Sequence, residues 1–597
     1  MIDYHAHALA LDEAEKSLAA AAFTDPTLVA ARSQAQSDLS AAGGYALLGA
    51  LVDHLFAHAV SDGSELTLLA RASDLFDRGV ELYKDLGSVR GRFETALANP
   101  SDPAALSDFN TASMDVQLFA QKAYAMQGEV SLLRDNVSSF TYLSAHPRQL
   151  DDPSSSWDWG NLLLGRRTDA FVRNLNRLAQ NTPTRAFAFG ALSGYGANAA
   201  GSTYLGVVVG GPRRSHRFRD RVARNTVGSW LARKFPATPA PGAIANRIRF
   251  GGRRRSVLPH AVEQLLKEAL KTTFDLSKTP QPPDLQLGYR RMLQHLELLG
   301  GFVRPPVPAA PQPVWLQKIY GDPSNPPPSL RPQDVGPSGD PGGGISLGNN
   351  SPGDPSPGQS DNSSSSLICG IIVAILIIID LIQAFVQCIG QWANKHKCTF
   401  WDNMLLKKAW EKDPPDPRDP PTSSNVSATS SQLTAIASND EMTQLVACLF
   451  DIHTQIWEAL DRAYHFLAFH GLIYPGSLID VPVYSQFTST PATTPWPRRP
   501  VNDPVNSYHL YPGSPLEHPT TMPSGLPDGA KPDAFLTLAA TRFTLPLWEQ
   551  IALRVTDTVN YDLDADRGFL HACWATKGSI NDDPVGVNIL AYADLIL

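Results

Sequence analysis

Apolar residues along this chain recur mostly at three- and four-residue spacing, the period of a helix with one buried face. Residues 12–23 make a short Ala-rich unit, and 44–60, GYALLGALVDHLFAHAV, carry a wide apolar face. The pattern continues through 64–97 and 108–126, broken by Gly and by Asn-Pro. It resumes over 159–179, 184–195, 218–235, 259–274 and 285–299. A long helix is predicted over 441–470, capped by Asn439 and Asp440 and ended by Gly471. The last unit, 534–597, mixes a helix over 545–555 with short apolar runs, and it is expected to pack on the 441–470 helix as a small domain. Strand-like alternation is scarce, so the fold is predicted to be mostly α.

One stretch breaks the amphipathic rule. Residues 367–389, LICGIIVAILIIIDLIQAFVQCI, are apolar enough and long enough to span a bilayer. Asp380 sits just past the middle. A central Leu, Ile or Val contributes roughly −0.5 kcal/mol to insertion and an Asp costs about 3 kcal/mol, so the sum is only slightly favourable. Asp380, Gln383, Gln387 and Gln391 fall on one helical face. On a membrane helix such a stripe faces a partner helix or a wet cavity, which makes oligomerisation through it an expectation. A buried helix of a water-soluble core and an amphipathic helix lying on the membrane surface are the alternatives.

The flanks of this stretch are Pro-, Gly- and Ser-rich. Residues 304–366 run through PPVPAAPQP, NPPPSLRP and SPGDPSPGQSDNSSSS, and a second such run follows Lys412. Such composition cannot bury enough apolar surface to offset its ordering entropy, so it reads as linker. The predicted organisation is a helical domain over 1–303, a linker over 304–366, a single transmembrane helix over 367–389, a juxtamembrane and Pro-rich linker over 390–435, and a C-terminal domain over 436–597.

At 597 residues the chain is too long for one domain. A net charge of −8 is mild for that size and selects no partner. The five cysteines form no C-x-x-C pair, which argues against a zinc ribbon or a disulfide framework. The N-terminus has no basic n-region and no apolar h-region, so residues 1–366 are expected in the cytoplasm. The positive-inside rule points the other way, because Lys395, Lys397, Lys407 and Lys408 follow the apolar stretch while the nearest basic residue before it is Arg331.

Two motifs point to a scaffold. The first is WDWGNLLLGRRTDAFV at 157–172, and the second is FGALSGYGANAAGSTYLGVVVGGPRRSH at 189–216. Trp159, Gly160, Leu162, Arg167, Thr168 and Phe171 in the first, and Gly190, Leu192, Tyr195, Gly201, Val209, Gly210, Gly211, Pro212, Arg214 and His216 in the second, give the chain a resemblance to the bacterial zinc-dependent phospholipase C-like family. The resemblance covers about 60 residues well and 1–300 loosely. It implies a mostly helical fold with a metal held by His and Asp at fixed offsets. It also implies a turn, not a phosphate loop, at GVVVGG, residues 206–211. The ligand positions depart from the family's pattern. Trp157, Gly194, Asn198 and Ser202 stand where the resemblance places His, His, Asp and His. Gly offers no side-chain donor, and Asn and Ser are poor zinc ligands. The expectation is a kept scaffold with a lost metal centre, no cofactor and no catalytic residue.

Residual ligands are sparse. His5, His7, Asp53 and His54 are the remaining candidates, and His54 with His58 has a metal-compatible i, i+4 spacing on a helix. Asp461 and His465 form a similar pair, read as a solvated face. A basic run, Arg213, Arg214, Arg217, Arg219, Arg221, Arg224, Arg253, Arg254 and Arg255, suits anionic lipid or an acidic protein better than nucleic acid, since no aromatic interleaving accompanies it. A solvated, internally paired surface is the plain alternative.

Together these readings predict a bacterial membrane protein whose degenerate domain serves as an adaptor or receptor. Its overall organisation looks like that of membrane proteins associated with actinobacterial contractile injection systems, which implies tethering or triggering of such a particle at the cytoplasmic membrane. An active membrane-bound zinc-dependent phospholipase C and a membrane-permeabilising effector are the alternatives.

Overall fold

The structure is a computed structural model. It describes most residues of the stretches 2–122, 159–309 and 534–563, scattered positions between 449 and 474, and residues 587–588. The apolar stretch with Asp380, Gln383, Gln387 and Gln391 lies outside the described residues. So do Trp157, Arg213, Arg214, Arg217, Arg219, Arg253, Arg254, Arg255, Asp461 and His465, all but the start of the first linker, and the whole of the second.

The fold is mostly helical. Helix α1, Tyr4–Ala20, starts earlier than its Ala-rich stretch suggests, because the Asp3 carboxylate accepts from the backbone N–H groups of His5 and Ala6 and caps it. Its first two turns are buried nearly all round, so polar side chains there enter the core. Helix α2, Pro26–Ala50, has Asp25 as its cap and Pro26 in its first turn, where a missing N–H costs nothing. The predicted 44–60 helix is in fact two: the chain turns by 43° at Leu51 and continues as α3, Val52–Val60. Helix α4 is Ser64–Ala98.

The amphipathic unit at 159–179 also divides, into α5, Trp159–Gly165, and α6, Thr168–Leu178. Arg167 between them takes a left-handed conformation, φ 51°, which no helix continues through. The glycine-rich region is the larger correction. Residues 196–209 do not interrupt a helix; α7 runs unbroken over Thr182–Val209, and positions 206–209 of the expected turn are helical. Helices α8, Pro241–Arg247, α9, His260–Thr273, and α10, Leu285–Leu299, follow. Further along the chain come α11, Ala534–Leu538, a π-helical turn, Ala539–Thr544, and α12, Leu545–Ala552. A two-residue strand, β1, Asn560–Tyr561, pairs in parallel with β2, Val587–Asn588.

The centre of the molecule is the crossing of α2 and α7. A Cβ on Gly190 would lie 1.8 Å from the Ala46 carbonyl oxygen, and one on Gly49 would lie 2.0 Å from that of Phe187. Any side chain at either position would drive the backbones apart. Ala46, Ala50, Ala191 and Leu192 fill the seam, each no more than 1% exposed. The buried Asp38 fastens one end of the crossing through Arg185, at 2.6 Å.

Residues 534–563 pack into this core. Phe535, Ala539, Ala540, Phe543, Trp548 and Leu563 share one apolar cluster with α1, α2 and α7. Asn560 Oδ1 accepts from the Thr168 N–H at 3.0 Å, supplying α6 with a cap from the far end of the chain. Tyr195 donates its hydroxyl to the Val559 carbonyl at 3.1 Å and accepts from the Tyr561 N–H at 3.1 Å. A single membrane crossing between 309 and 534 would place these partners on opposite faces. Among the described residues no single helix is long and apolar enough to cross a membrane. The bent pair α2–α3 meets the length and apolarity criteria only jointly, and its apolar faces are spent on α1, α7 and α10.

Candidate functional site

The capped N-terminus of α1 points Tyr4, His5 and His7 into the interior, against α3 and one end of α7. Three of the four residual candidates meet there. His7, Asp53 and His54 place one ligand atom each within 4.8 Å of one another. His5 is not among them. It stacks on Tyr474 at 4.5 Å and stands 3.8 Å from Asp3, whose Oδ2 accepts from the Tyr474 hydroxyl at 2.8 Å.

Asp53 is the hub. Its Oδ2 accepts from His7 Nε2 at 3.2 Å and from Asn198 Nδ2 at 2.7 Å, and its Oδ1 accepts from the His54 N–H at 2.8 Å. Burial works to raise this carboxyl, but the neighbouring His7 and His54 rings and the hydrogen bonds from His7 and Asn198 outweigh it and hold Asp53 well below the usual carboxylate range. A carboxylate only accepts, so the Nε2 of His7 carries the proton. The Ile2 carbonyl fixes His54 in the same way at 2.9 Å, leaving the lone pair of a neutral ring on Nδ1. Burial first of all lowers the His54 ring well below its ordinary value.

Two of the degenerate positions border this cluster in altered roles, and Ser202 is buried one turn further along α7. Asn198, where the resemblance expects Asp, uses Nδ2 on Asp53 and accepts from the Ile2 N–H through Oδ1 at 2.9 Å. Gly194, where it expects His, faces the Ala50 carbonyl oxygen, which a Cβ would approach to 2.6 Å. A ligand side chain cannot stand there without moving α2.

A second polar layer lies beneath. The Tyr4 ring stacks on His54 at 4.1 Å, and its hydroxyl meets His58 Nε2 and His295 Nδ1, each at 3.0 Å. One hydroxyl has one proton, so it donates to one ring and accepts from the other. Burial lowers His58 to about 4 and His295 to about 3, with Arg221 and Arg224 acting in the same direction. Both rings are therefore neutral near pH 7. Glu65 is held at about 2, since Arg221, bonded to it at 2.7 Å, outweighs the effect of burial. Arg221 thus pairs with the half-buried Glu65, and Arg224 lines a small crevice with Ile2, Asp3 and Phe535.

His54 and His58 serve different layers despite their i, i+4 spacing. Tyr4, Glu65 and His295 give no warning in the sequence; Tyr4 and His295 are 291 positions apart and meet only through the packing of α3 on α10. The one available signal was the Asp3 cap, which starts a helix at Tyr4.

Chemically, His7, Asp53 and His54 have the donor types of a three-ligand divalent metal site. Ligands of a tetrahedral zinc stand about 3.4 Å apart, so the three would need to close inward slightly. They do not fit the richer ligand set that the resemblance implies, because Gly194 has no donor and Asn198 is committed to Ile2 and Asp53. The cluster is also shut: the side chains of His7 and Asp53 are 0% and 11% exposed. Comparison with protein-family models, curated proteins and solved structures finds no match.

Proposed function

We propose that this chain is a catalytically degenerate phospholipase C-like protein that acts as an adaptor or receptor at the bacterial cytoplasmic membrane. One observation carries the reading. The α7 position where the resemblance expects a histidine ligand is packed against the Ala50 carbonyl, and the aspartate position beside it has become a structural hydrogen-bonding residue. The helices that would carry a metal centre are used to hold each other. In this reading the protein is attached through residues 367–389, with both folded flanks on the same face, and it tethers or triggers a partner assembly of the contractile-injection-system kind. Membrane attachment, anionic lipid contact and the partner assembly rest on sequence composition and organisation alone.

A second reading, a membrane-bound zinc-dependent phospholipase C, is favoured by the meeting of His7, Asp53 and His54. Metal analysis and phosphodiester hydrolysis by the purified full-length chain separate the two. The adaptor reading expects no turnover with or without added zinc. Stoichiometric zinc with hydrolysis that disappears in Asp53→Asn would establish the enzyme. Affinity purification from the native host tests the partner, and recovery of no sheath, tube or baseplate proteins counts against the assembly proposed.

A further inference from the structure

Residues 304–309 open the Pro-rich run, yet they lie against the folded body. Pro305 and Pro308 are buried, whereas Pro306 and Val307 between them are exposed. Burial at every third residue is the period of a polyproline II helix, and a P-x-x-P segment puts both prolines on one face of it. That helix has no internal hydrogen bonds, so its carbonyls are open to outside donors. Three of them are taken here. The Tyr83 hydroxyl donates to the Pro306 carbonyl at 2.5 Å, Trp457 Nε1 donates to the Pro305 carbonyl at 3.0 Å, and Arg90 donates to the Ala309 carbonyl.

The groove has two walls from distant parts of the chain. Helix α4 supplies Tyr83 and Arg90, and the stretch after 449 supplies the rest. His453 packs on the Tyr83 ring at 4.2 Å and bonds Arg90 Nη1 through Nδ1 at 3.2 Å. Gly87 leaves room for it, since a Cβ there would already lie 3.1 Å from His453 Cε1. Arg90 is only 6% exposed and is held further by Glu94 at 2.7 Å. Ahead of the prolines, the Arg304 guanidinium sits 4.6 Å from the centre of the Tyr464 ring, a cation–π contact.

Aromatic walls that receive proline faces, and hydroxyl and indole donors that meet the carbonyls, are the means by which proteins recognise preformed polyproline II peptides. We propose that Tyr83 and Arg90 of α4, with His453, Trp457 and Tyr464, form a recognition site for arginine-headed polyproline II peptides, and that its resident occupant is the chain's own segment 304–309. The occupant is tethered directly behind α10, so its effective concentration is about millimolar and a free peptide of ordinary affinity is excluded.

Fluorescence anisotropy tests this with a labelled peptide of residues 303–311, VRPPVPAAP, and the full-length protein. The doubled variant Pro305→Ala, Pro308→Ala weakens the tethered copy and is expected to bind the peptide about tenfold more tightly than the wild type does. Adding Trp457→Phe keeps a ring but removes one donor, and is expected to weaken that binding about five- to tenfold. A peptide with every proline replaced by alanine is expected to bind neither protein. Circular dichroism melts verify folding, and Pro305→Ala alone is used if the doubled variant does not fold. The proposal fails if a folded variant takes the peptide no better than the wild type, or if the all-alanine peptide binds equally well.

Discussion

Helices α2 and α7 meet by backbone contact along one stretch, while just beyond, polar side chains from α1, α3 and α7 meet in the core. At Gly49, Gly190 and Gly194 the main chains touch and no side chain intervenes. At Asp53 and Asn198, a turn further along, the gap is filled by a closed set of hydrogen bonds that reaches Ile2, His7 and His54. The first region is stabilised by exclusion and tolerates no added atom. The second is stabilised by charge balance and responds to protons and to any group that alters the charge. Neighbouring stretches of α7 therefore fail for different reasons.

The largest effect is expected where the backbones touch. Gly190→Val would push a branched side chain into the Ala46 carbonyl, and a loss of about 5 kcal/mol or of soluble protein is expected, read by denaturant unfolding. Unchanged stability would show that the crossing is looser than 1.8 Å implies.

Acidification comes next and strikes the polar region. His58 and His295 have folded values of about 4 and about 3, below the ordinary histidine value. The unfolded chain binds their protons first, so the stability they contribute is complete above about pH 6.5 and is lost as pH falls towards those folded values. Between pH 7 and pH 5 the two together should cost about 4 kcal/mol. Doubly substituted His58→Gln, His295→Gln should flatten the dependence of Tm on pH over that range, and an unaltered slope would place the titration elsewhere.

Asn198→Asp is expected to be smaller and sharper. It replaces an N–H donor 2.7 Å from Asp53 with a second carboxylate, so about 3 kcal/mol should be lost in chelator. Added zinc should recover part of the loss if His7, Asp53 and His54 can close on a metal. No recovery would confine the cluster to a structural role.

The smallest change is expected from Tyr195→Phe, about 1 kcal/mol, for the bonds to Val559 and Tyr561. An effect several times larger would mean that 534–563 depends on this one hydroxyl rather than on its shared core.

Much of this was legible in the sequence, and unevenly so. The apolar period gave the helical class, the residue types singled out His7, Asp53 and His54, and the family resemblance singled out Asn198. The continuity of α7 was hidden, because glycines in the run that read as an interruption, Gly196 and Gly201, are where Thr544 and Ile2 press on the helix, and that pressure is tertiary. Tyr4, Glu65 and His295 carry no local pattern. The membership of 534–563 in the core was obscured by the Pro-, Ser- and Thr-rich run before it, which looks like a boundary. The period-three burial at 304–309 was invisible because proline composition alone does not distinguish a free linker from a docked one.

The shared core has a mechanical consequence. Residues before 310 and residues after 448 are joined by contacts that need no peptide bond, among them Arg90 with His453 and Thr168 with Asn560. A protease cutting anywhere between 310 and 448 should yield two polypeptides that elute as one particle. Separately expressed halves, 1–309 and 449–597, should find each other and assemble as a split protein.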